Sequence, residues 1–341
     1  MSAVTLQRGP DLTAKTPAPL SIWAMSDGRI GIEGQVRGLA EAVARLRPAE
    51  ITVKRVAWKG WTGRLPWWAH PLPRATLTAE SRLAAPWPDL WIAAGRATLP
   101  LSIRVARWSR GRSFVVQLQD PRLDPAKFDL VIPPRHDGLA GPNVFPIIGA
   151  PHGVTAERLA EAGGRFAGAI DPLPHPRAAV LIGGTSKAFA LSSERAAALA
   201  REIEQSITEA GGSLMMTFSR RTPIPARMLM AARLRHLPGI IWDDEGENPY
   251  FAFLAAADHV LVTEDSTNMA TQAAATGKPV HILKMDGESA RFRRLHAELE
   301  AQGVARPFTG ELDDWSYPPL AETERAAAET LRRYDARGAA A

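Results

Sequence analysis

Four polar turns each follow an apolar run, and three of them carry side chains of the kind that hold phosphate. Residues 264–280 read Glu-Asp-Ser-Thr-Asn-Met-Ala-Thr-Gln-Ala-Ala-Ala-Thr-Gly-Lys-Pro-Val. They follow a strand pattern over 258–262 and contain a helix of small residues stopped by Gly277 and Pro279. Asp265, Ser266, Thr267 and Asn268 therefore stand at a strand's carboxyl end beside the N–H groups of a helix start, where open α/β sheets bind ligands and nucleotides in particular. The same residues also make an ordinary capped βα turn. A second turn, Gly183-Gly184-Thr185-Ser186, offers N–H groups and hydroxyls to a diphosphate, or serves as a plain tight connection. It lacks the G-x-x-x-x-G-K-[ST] spacing. In the third, Arg220 and Arg221 are placed to clamp a phosphate bidentately, although arginines are equally common on solvated loops. The fourth turn, residues 26–35, has Gly28, Gly31 and Gly34, which do not match G-x-G-x-x-G and so disfavour a dinucleotide dehydrogenase.

These turns need strands and helices to position them, and the pattern supplies both. Strand-like runs at 20–25, 51–56, 90–94, 114–118 and 130–132 alternate with helical spacing over 36–46 and 99–108. The alternation restarts after a break containing Pro172, Pro174 and Pro176, with strands at 178–182, 213–218, 239–242, 258–262 and 280–283 and helices at 193–209, 225–233 and 249–256. The expected fold class is α/β, two Rossmann-like doubly wound domains facing a cleft. The expected boundaries are a disordered arm (1–18), an N-terminal acceptor-side domain (19–168), a Pro-rich linker (169–177), a C-terminal nucleotide-side domain (178–320), and a C-terminal helix and tail (321–341). Ligands of such a protein lie between the domains.

Composition narrows the function classes. The 341 residues are 45% apolar and 23% charged, with no cysteine. Disulfides, zinc-thiolate sites, Fe–S clusters and cysteine nucleophiles are thereby excluded. No run of apolar residues is long enough to span a membrane, and the first residues lack a signal's apolar core, so a cytoplasmic location is expected. Residues 1–165 carry 22 Lys+Arg against 13 Asp+Glu, a balance of +9, whereas 166–341 carry 19 against 23, a balance of −4. Eight of the ten tryptophans lie at or before Trp108. Basic residues mixed with Trp favour an anionic partner with apolar parts: a membrane surface, a glycolipid or a nucleic acid. No nucleic-acid motif accompanies them, and no nucleic-acid partner is expected. Trp58, Trp61, Arg64, Trp67 and Trp68 form a compact segment suited to a head-group interface, unless they pack beneath a long loop. Asp243-Asp244-Glu245 has no orderly ligand spacing, and no metal ion is expected.

Trp23-Ala24-Met25-Ser26-Asp27-Gly28-Arg29, Gln117-Leu118-Gln119-Asp120-Pro121-Arg122, Pro134-Arg135-His136-Asp137-Gly138, Ser219-Arg220-Arg221-Thr222-Pro223, and Glu264-Asp265-Ser266 with Thr276-Gly277-Lys278-Pro279 occur in that order. Together they resemble the family of the plant mitochondrial-fission factor called elongated mitochondria, which has many bacterial members. The resemblance implies a glycosyltransferase-like fold of type B. A second, narrower similarity joins Gly183-Gly184-Thr185-Ser186 and the helix at 269–276 to the donor site of the peptidoglycan N-acetylglucosaminyltransferase that acts on a lipid-linked substrate. In that enzyme an acidic residue holds the ribose hydroxyls, and the corresponding position here is Gln272, which is uncharged.

A glycosyltransferase needs a base for the acceptor hydroxyl. Asp27 is the first candidate, the His136-Asp137 pair the second and Asp120 the third. The expected activity is metal-independent transfer of a sugar from a nucleotide-sugar, a substrate rather than a cofactor, to a lipid-linked or glycolipid acceptor. The chain would sit peripherally on the inner face of the cell membrane. The alternative is a non-catalytic adaptor that recruits a protein partner to a membrane, as the plant relatives recruit a dynamin-like fission protein.

Overall fold

Two parallel sheets, each covered by helices, account for the alternation of strand and helix patterns. The computed structural model describes residues 18–70 and 73–339, and the arm expected over 1–18 lies outside them but for Ala18. The first sheet draws on β1 (Leu20–Ser26), α1 (Ile30–Leu46), β2 (Ala49–Arg55), β3 (Leu90–Ala93), α2 (Leu99–Trp108), β4 (Phe114–Leu118) and β5 (Leu130–Ile132). Its strands run in the order β2-β1-β3-β4-β5, all parallel. β3, β4 and β5 are buried along their whole length, which explains their unbroken apolar runs. β2 is an edge strand with wet outer positions and an alternating sequence, whereas the other edge, β5, is covered by the chain at Val144.

α3 (Ala156–Ile170) leads into the second half. There β6 (Arg177–Ile182), β7 (Phe189–Ala190), α4 (Ser193–Ala210), β8 (Ser213–Phe218), α5 (Ile224–Leu234), β9 (Gly239–Ile241), α6 (Tyr250–Ala256), β10 (His259–Thr263), α7 (Thr267–Ala274), β11 (Val280–Leu283), β12 (Asp286–Gly287), α8 (Ala290–Ala301) and β13 (Ala305–Pro307) follow. The six-stranded sheet runs β13-β11-β10-β6-β8-β9, and β7 and β12 pair separately as an antiparallel ribbon. α9 (Glu322–Ala339) then returns to the first half. Ala326, Ala327 and Leu331 join the core beneath α1, and Arg47 clamps Asp335 at 2.6 and 2.8 Å.

Most strands begin and end within a residue or two of the expected positions, as does α2, because long apolar runs and a clear stripe mark them. α3 and α8 are absent from the sequence expectation. Gly163, Gly164 and Gly168 lie within α3, and in α8 only Leu295 and Leu299 are fully buried. The periodic signal of α8 is correspondingly faint, whereas α3 keeps a marked apolar periodicity and its glycines are what weigh locally against a helix.

Strand order locates the ligand crevices. The first sheet reverses direction between β1 and β3, and the second, numbered from β6, has the order 3-2-1-4-5-6 with its reversal between β6 and β10. Open sheets bind ligands at such reversals, outside the carboxyl ends of the strands. The two halves meet closely along this side. Gly149 has φ +71°, and a Cβ there would lie 2.0 Å from the Thr271 hydroxyl oxygen on α7, so only glycine fits.

Burial of imidazoles gives the fold an acid sensitivity. Burial holds His136 down to about 3 and His152, His281 and His296 to about 4, and it lowers His70 and His259 as well. In the unfolded chain these groups bind protons near their ordinary value of about 6.5. Between that value and the depressed folded ones, the unfolded state holds more protons, so stability rises with pH through the window and is lost as pH falls. From pH 7 to about pH 5 the loss should be on the order of 1–2 kcal/mol for each fully buried imidazole. Calorimetry across that range should show a steadily falling Tm, and a flat profile would contradict it.

Candidate functional site

The second half's crevice is organised around the carboxylate of Asp265, which is buried at the end of β10. Its Oδ1 accepts from the Thr263 hydroxyl at 2.8 Å, and that hydroxyl oxygen in turn accepts from the Gly183 N–H at 2.7 Å. Its Oδ2 accepts from the Gly184 N–H at 3.0 Å and from Arg221 Nη2 at 2.6 Å. A Cβ on Gly183 would lie 1.9 Å from Asp265 Oδ1, so the carboxylate and the glycine turn are packed face to face. Ser266 caps α7 by accepting from the Met269 N–H at 3.3 Å.

Hydrogen-bond accounting divides the expected phosphate groups. The remaining N–H groups of the glycine turn also have internal acceptors: Thr185 donates to the Arg221 carbonyl and Ser186 to the Phe189 carbonyl. The Ser186 hydroxyl accepts from Ala188 and Phe189. Left facing outward are the N–H groups of Thr267 and Asn268 in the first turn of α7, which have no helical acceptor, together with the half-exposed Arg221 and the exposed Arg220 and Lys187. Lys284, just after β11, is exposed and pairs with Glu264 at 3.0 Å. Gln272 Oε1 accepts from the Tyr250 hydroxyl at 2.7 Å, and burial pushes that hydroxyl's pKa far up. Tyr250 thus stays a donor, and the amide NH2 of Gln272 is what remains available.

Across the cleft, the candidate bases lie at three strand ends. Asp27 follows β1 and is gripped by Arg29 at 2.6 Å. Asp120 follows β4 in a turn whose flanking residues, Gln119 (φ +66°) and Arg122 (φ +58°), are both left-handed without being glycine. Such conformations cost on the order of 1 kcal/mol each and cluster at functional sites. Asp120 pairs with Arg122 at 3.1 Å. His136 and Asp137 follow β5 and are buried against α8, where Arg291 Nε meets Asp137 Oδ1 at 2.7 Å and Arg294 Nε donates to the His136 carbonyl at 3.0 Å. Burial raises the Asp137 pKa, with the charge of Asp120 adding to the rise and Arg291 opposing it. His136 Nδ1 has no partner among the described residues.

The tryptophan segment leaves the carboxyl end of β2 and is split by the structure. Trp58 donates to the Ala97 carbonyl at 3.1 Å and packs tilted against His70, and Trp67 packs half-buried below Lys127. Trp61 and Trp68 are 70% and 68% exposed, and Arg64 is exposed between them.

A family model described as "Mitochondrial fission ELM1" matches residues 30–334. The chain belongs to that family. The mitochondrial fission protein ELM1 of Arabidopsis thaliana is 31% identical over 281 residues, 74% of this chain and 65% of that protein. The chain therefore spans about two thirds of this plant relative's length. An uncharacterized protein of Rickettsia prowazekii is 27% identical over 286 residues, 70% of this chain and 78% of the relative. Among solved structures, a UDP-GlcNAc 2-epimerase of Methanocaldococcus jannaschii aligns with a TM-score of 0.51 at 10% identity, over 92% of each chain. The same organism's epimerase in complex with UDP-GlcNAc and UDP aligns with a TM-score of 0.53 at 11% identity, over 93% of this chain and all of that one. At this identity the likeness shows the fold. The ELM1-family chain has the glycosyltransferase type B-like architecture of two Rossmann-like domains.

The structure adds residues that sequence reading passed over. Gln35 is buried on α1; its Nε2 donates to Asn268 Oδ1 at 2.8 Å, and its Oε1 accepts from Gln119 Nε2 at 2.9 Å. Asn268 Nδ2 donates to the Gly31 carbonyl at 3.2 Å, so its side chain bridges the halves. Tyr250 and Arg291 were missed as well. No local pattern marks these residues, because their partners are distant in sequence.

Replacing Asp265 by Asn should cost on the order of 1–3 kcal/mol, since Arg221 and the Gly184 N–H lose a charged acceptor. Ser266→Ala should cost about 1 kcal/mol through loss of the cap alone. Urea unfolding of the two variants checks the order, and an Asp265→Asn protein as stable as the wild type would remove the carboxylate's organising role.

Proposed function

We propose that this chain is a metal-independent glycosyltransferase that moves a sugar from a nucleotide-sugar to a membrane-associated, lipid-linked acceptor. The observation that carries the reading is the reversal between β6 and β10. Asp265 there holds Arg221 and the start of α7 toward the cleft, opposite the carboxylates of Asp120 and Asp137. The diphosphate is held by the Thr267 and Asn268 N–H groups with Arg220, Arg221 and Lys284, and Gln272 donates to a ribose hydroxyl. Gly183, Gly184, Thr185 and Ser186 shape this wall rather than donate to the ligand.

Transfer needs an acceptor oxygen to attack the anomeric carbon while the bond from that carbon to the diphosphate oxygen breaks. The electron pair leaves on the diphosphate, whose growing charge the arginines and helix N–H groups stabilise without a metal. We assign the base to Asp120, in the strained turn, with Asp137 as its neighbour. His136, held to about 3, is a very weak base at neutral pH. Asp27 already accepts three bonds from Arg29, two of them from its guanidinium, whereas Asp120 takes one from the Arg122 N–H and is paired once with its guanidinium. Trp61, Trp68 and Arg64 carry the acceptor's lipid side at the inner face of the cell membrane. No helix among the described residues is long and apolar enough to cross a membrane.

One observation favours a second reading. The glycine turn's N–H groups are all taken internally. That suits a scaffold whose cleft is vestigial and which recruits a protein partner to a membrane.

Thermal shift separates the two readings. With UDP, GDP, CMP or a sugar nucleotide at about 100-fold over Kd, a binding ligand should add about 2.7 kcal/mol and raise Tm by several degrees. Silence across the panel would favour the adaptor. For the transferase, Asp120→Asn should keep sugar-nucleotide binding while turnover falls by roughly 10²-fold or more, and activity should survive EDTA. Full turnover in Asp120→Asn would move the base elsewhere.

A further inference from the structure

We propose that the open mouth of the cleft seats on an anionic lipid surface through both of its lips, with Trp61 and Trp68 on the first half and Ile224 and Met228 on the second. The contacts between the halves show which side is open. The loop after β5 is tied to α8 through Arg291 and Arg294, and the turn after β4 and the start of α1 are tied to α7 through Gln119, Gln35 and Gly31. Moving along the first sheet from β5 past β4 leads to β2, and along the second from β11 past β10 and β6 leads to β8. Among the described residues, no hydrogen bond or ion pair joins the segment after β2 to the segment after β8. The cleft is pinned at one end and free at the other.

Both free lips carry the same unusual surface. Ile224 and Met228 are 73% and 67% exposed, and one turn apart on α5 they share a helix face. Trp61 and Trp68 are exposed to a similar degree on the lip opposite. Residues 51–79 contain five Lys and Arg and no acidic residue. Residues 219–235 contain five Arg and no acidic residue; Arg221, Arg227 and Arg233 pair with Asp265, Asp244 and Glu204, and Arg220 and Arg235 have no ion pair among the described residues. Arg220, which has no ion pair among the described residues, stands ahead of two exposed apolar side chains at the start of α5, the pattern of an interfacial helix start. Arg220 is exposed beside Ile224, and Pro223 and Pro225 fix the chain around it. Cationic lips with aromatic and aliphatic tips suit anionic head groups above acyl chains. This inference takes the first lip from the reading above, adds the second, and does not depend on sugar transfer.

Flotation of the full chain with phosphatidylcholine vesicles, with and without phosphatidylglycerol, tests it. Binding should need the anionic lipid and weaken with salt. Both Ile224→Ser/Met228→Ser and Trp61→Ser/Trp68→Ser should bind at least about tenfold more weakly with unchanged Tm, because each removes two apolar tips. A second-lip variant that floats like the wild type would overturn the two-lip seat and leave only the first lip. Equal binding to neutral vesicles would overturn the charge argument, and no binding by the wild type would overturn both lips. Light scattering closes the remaining route: a wild-type dimer made monomeric by Ile224→Ser/Met228→Ser would assign the second lip to self-association instead.

Discussion

One buried carboxylate ties together the three strand ends on which the second half's crevice depends. Asp265 leaves β10, takes the N–H of Gly184 after β6, and holds Arg221 after β8. An ionised group in that position must be paired or bonded on every side, because leaving it without partners would cost several kcal/mol. The demand fixes the geometry. Gly183 has to be glycine, since the carboxylate occupies the space of a Cβ, and Arg221 is pinned at one edge while its other edge stays half-exposed. Ser266 and the start of α7 follow one residue later, so the helix's unpaired N–H groups are aimed by the same anchor.

A second constraint acts between the halves. α7 approaches the 147–153 segment so closely that Thr271 fills the space above Gly149, and its Asn268 is held by the amide chain from Gln35 and Gln119. α8 presses Arg291 and Arg294 onto the loop after β5. These contacts bury Asp137 and strip His136 of water, which explains why one resists losing its proton and the other resists gaining one. The ionisation of Asp137 and His136 is therefore set partly by residues of the second half. α9 closes the loop of dependence by carrying the chain's end back beneath the first sheet.

Charge is distributed in the opposite sense to stability. Pairs at strand ends, such as Asp27 with Arg29 and Glu33 with Arg55, join a mostly buried carboxylate to an exposed guanidinium. Their contribution to folding is small, because the arginine side is well solvated. What they do is hold cations facing outward along the cleft.

Residue order alone determined the alternation of strands and helices, the two-half organisation and the list of polar turns, because a parallel sheet needs unbroken apolar runs and places every βα loop at one edge. The positions of Asp120, Asp265 and Arg221 at strand ends were legible for that reason. The partnerships were not. Whether Gly183–Ser186 donates to a ligand or to its own loop, whether Gln272 is free or tied to Tyr250, and which tryptophans face water all depend on contacts between residues tens to hundreds of positions apart. Gln35 and Arg291 had no local signal for the same reason. Local pattern records which face a side chain presents, whereas only the folded chain decides what stands opposite it, and hydrogen-bond satisfaction and desolvation, which set each group's chemistry, are properties of that second neighbour.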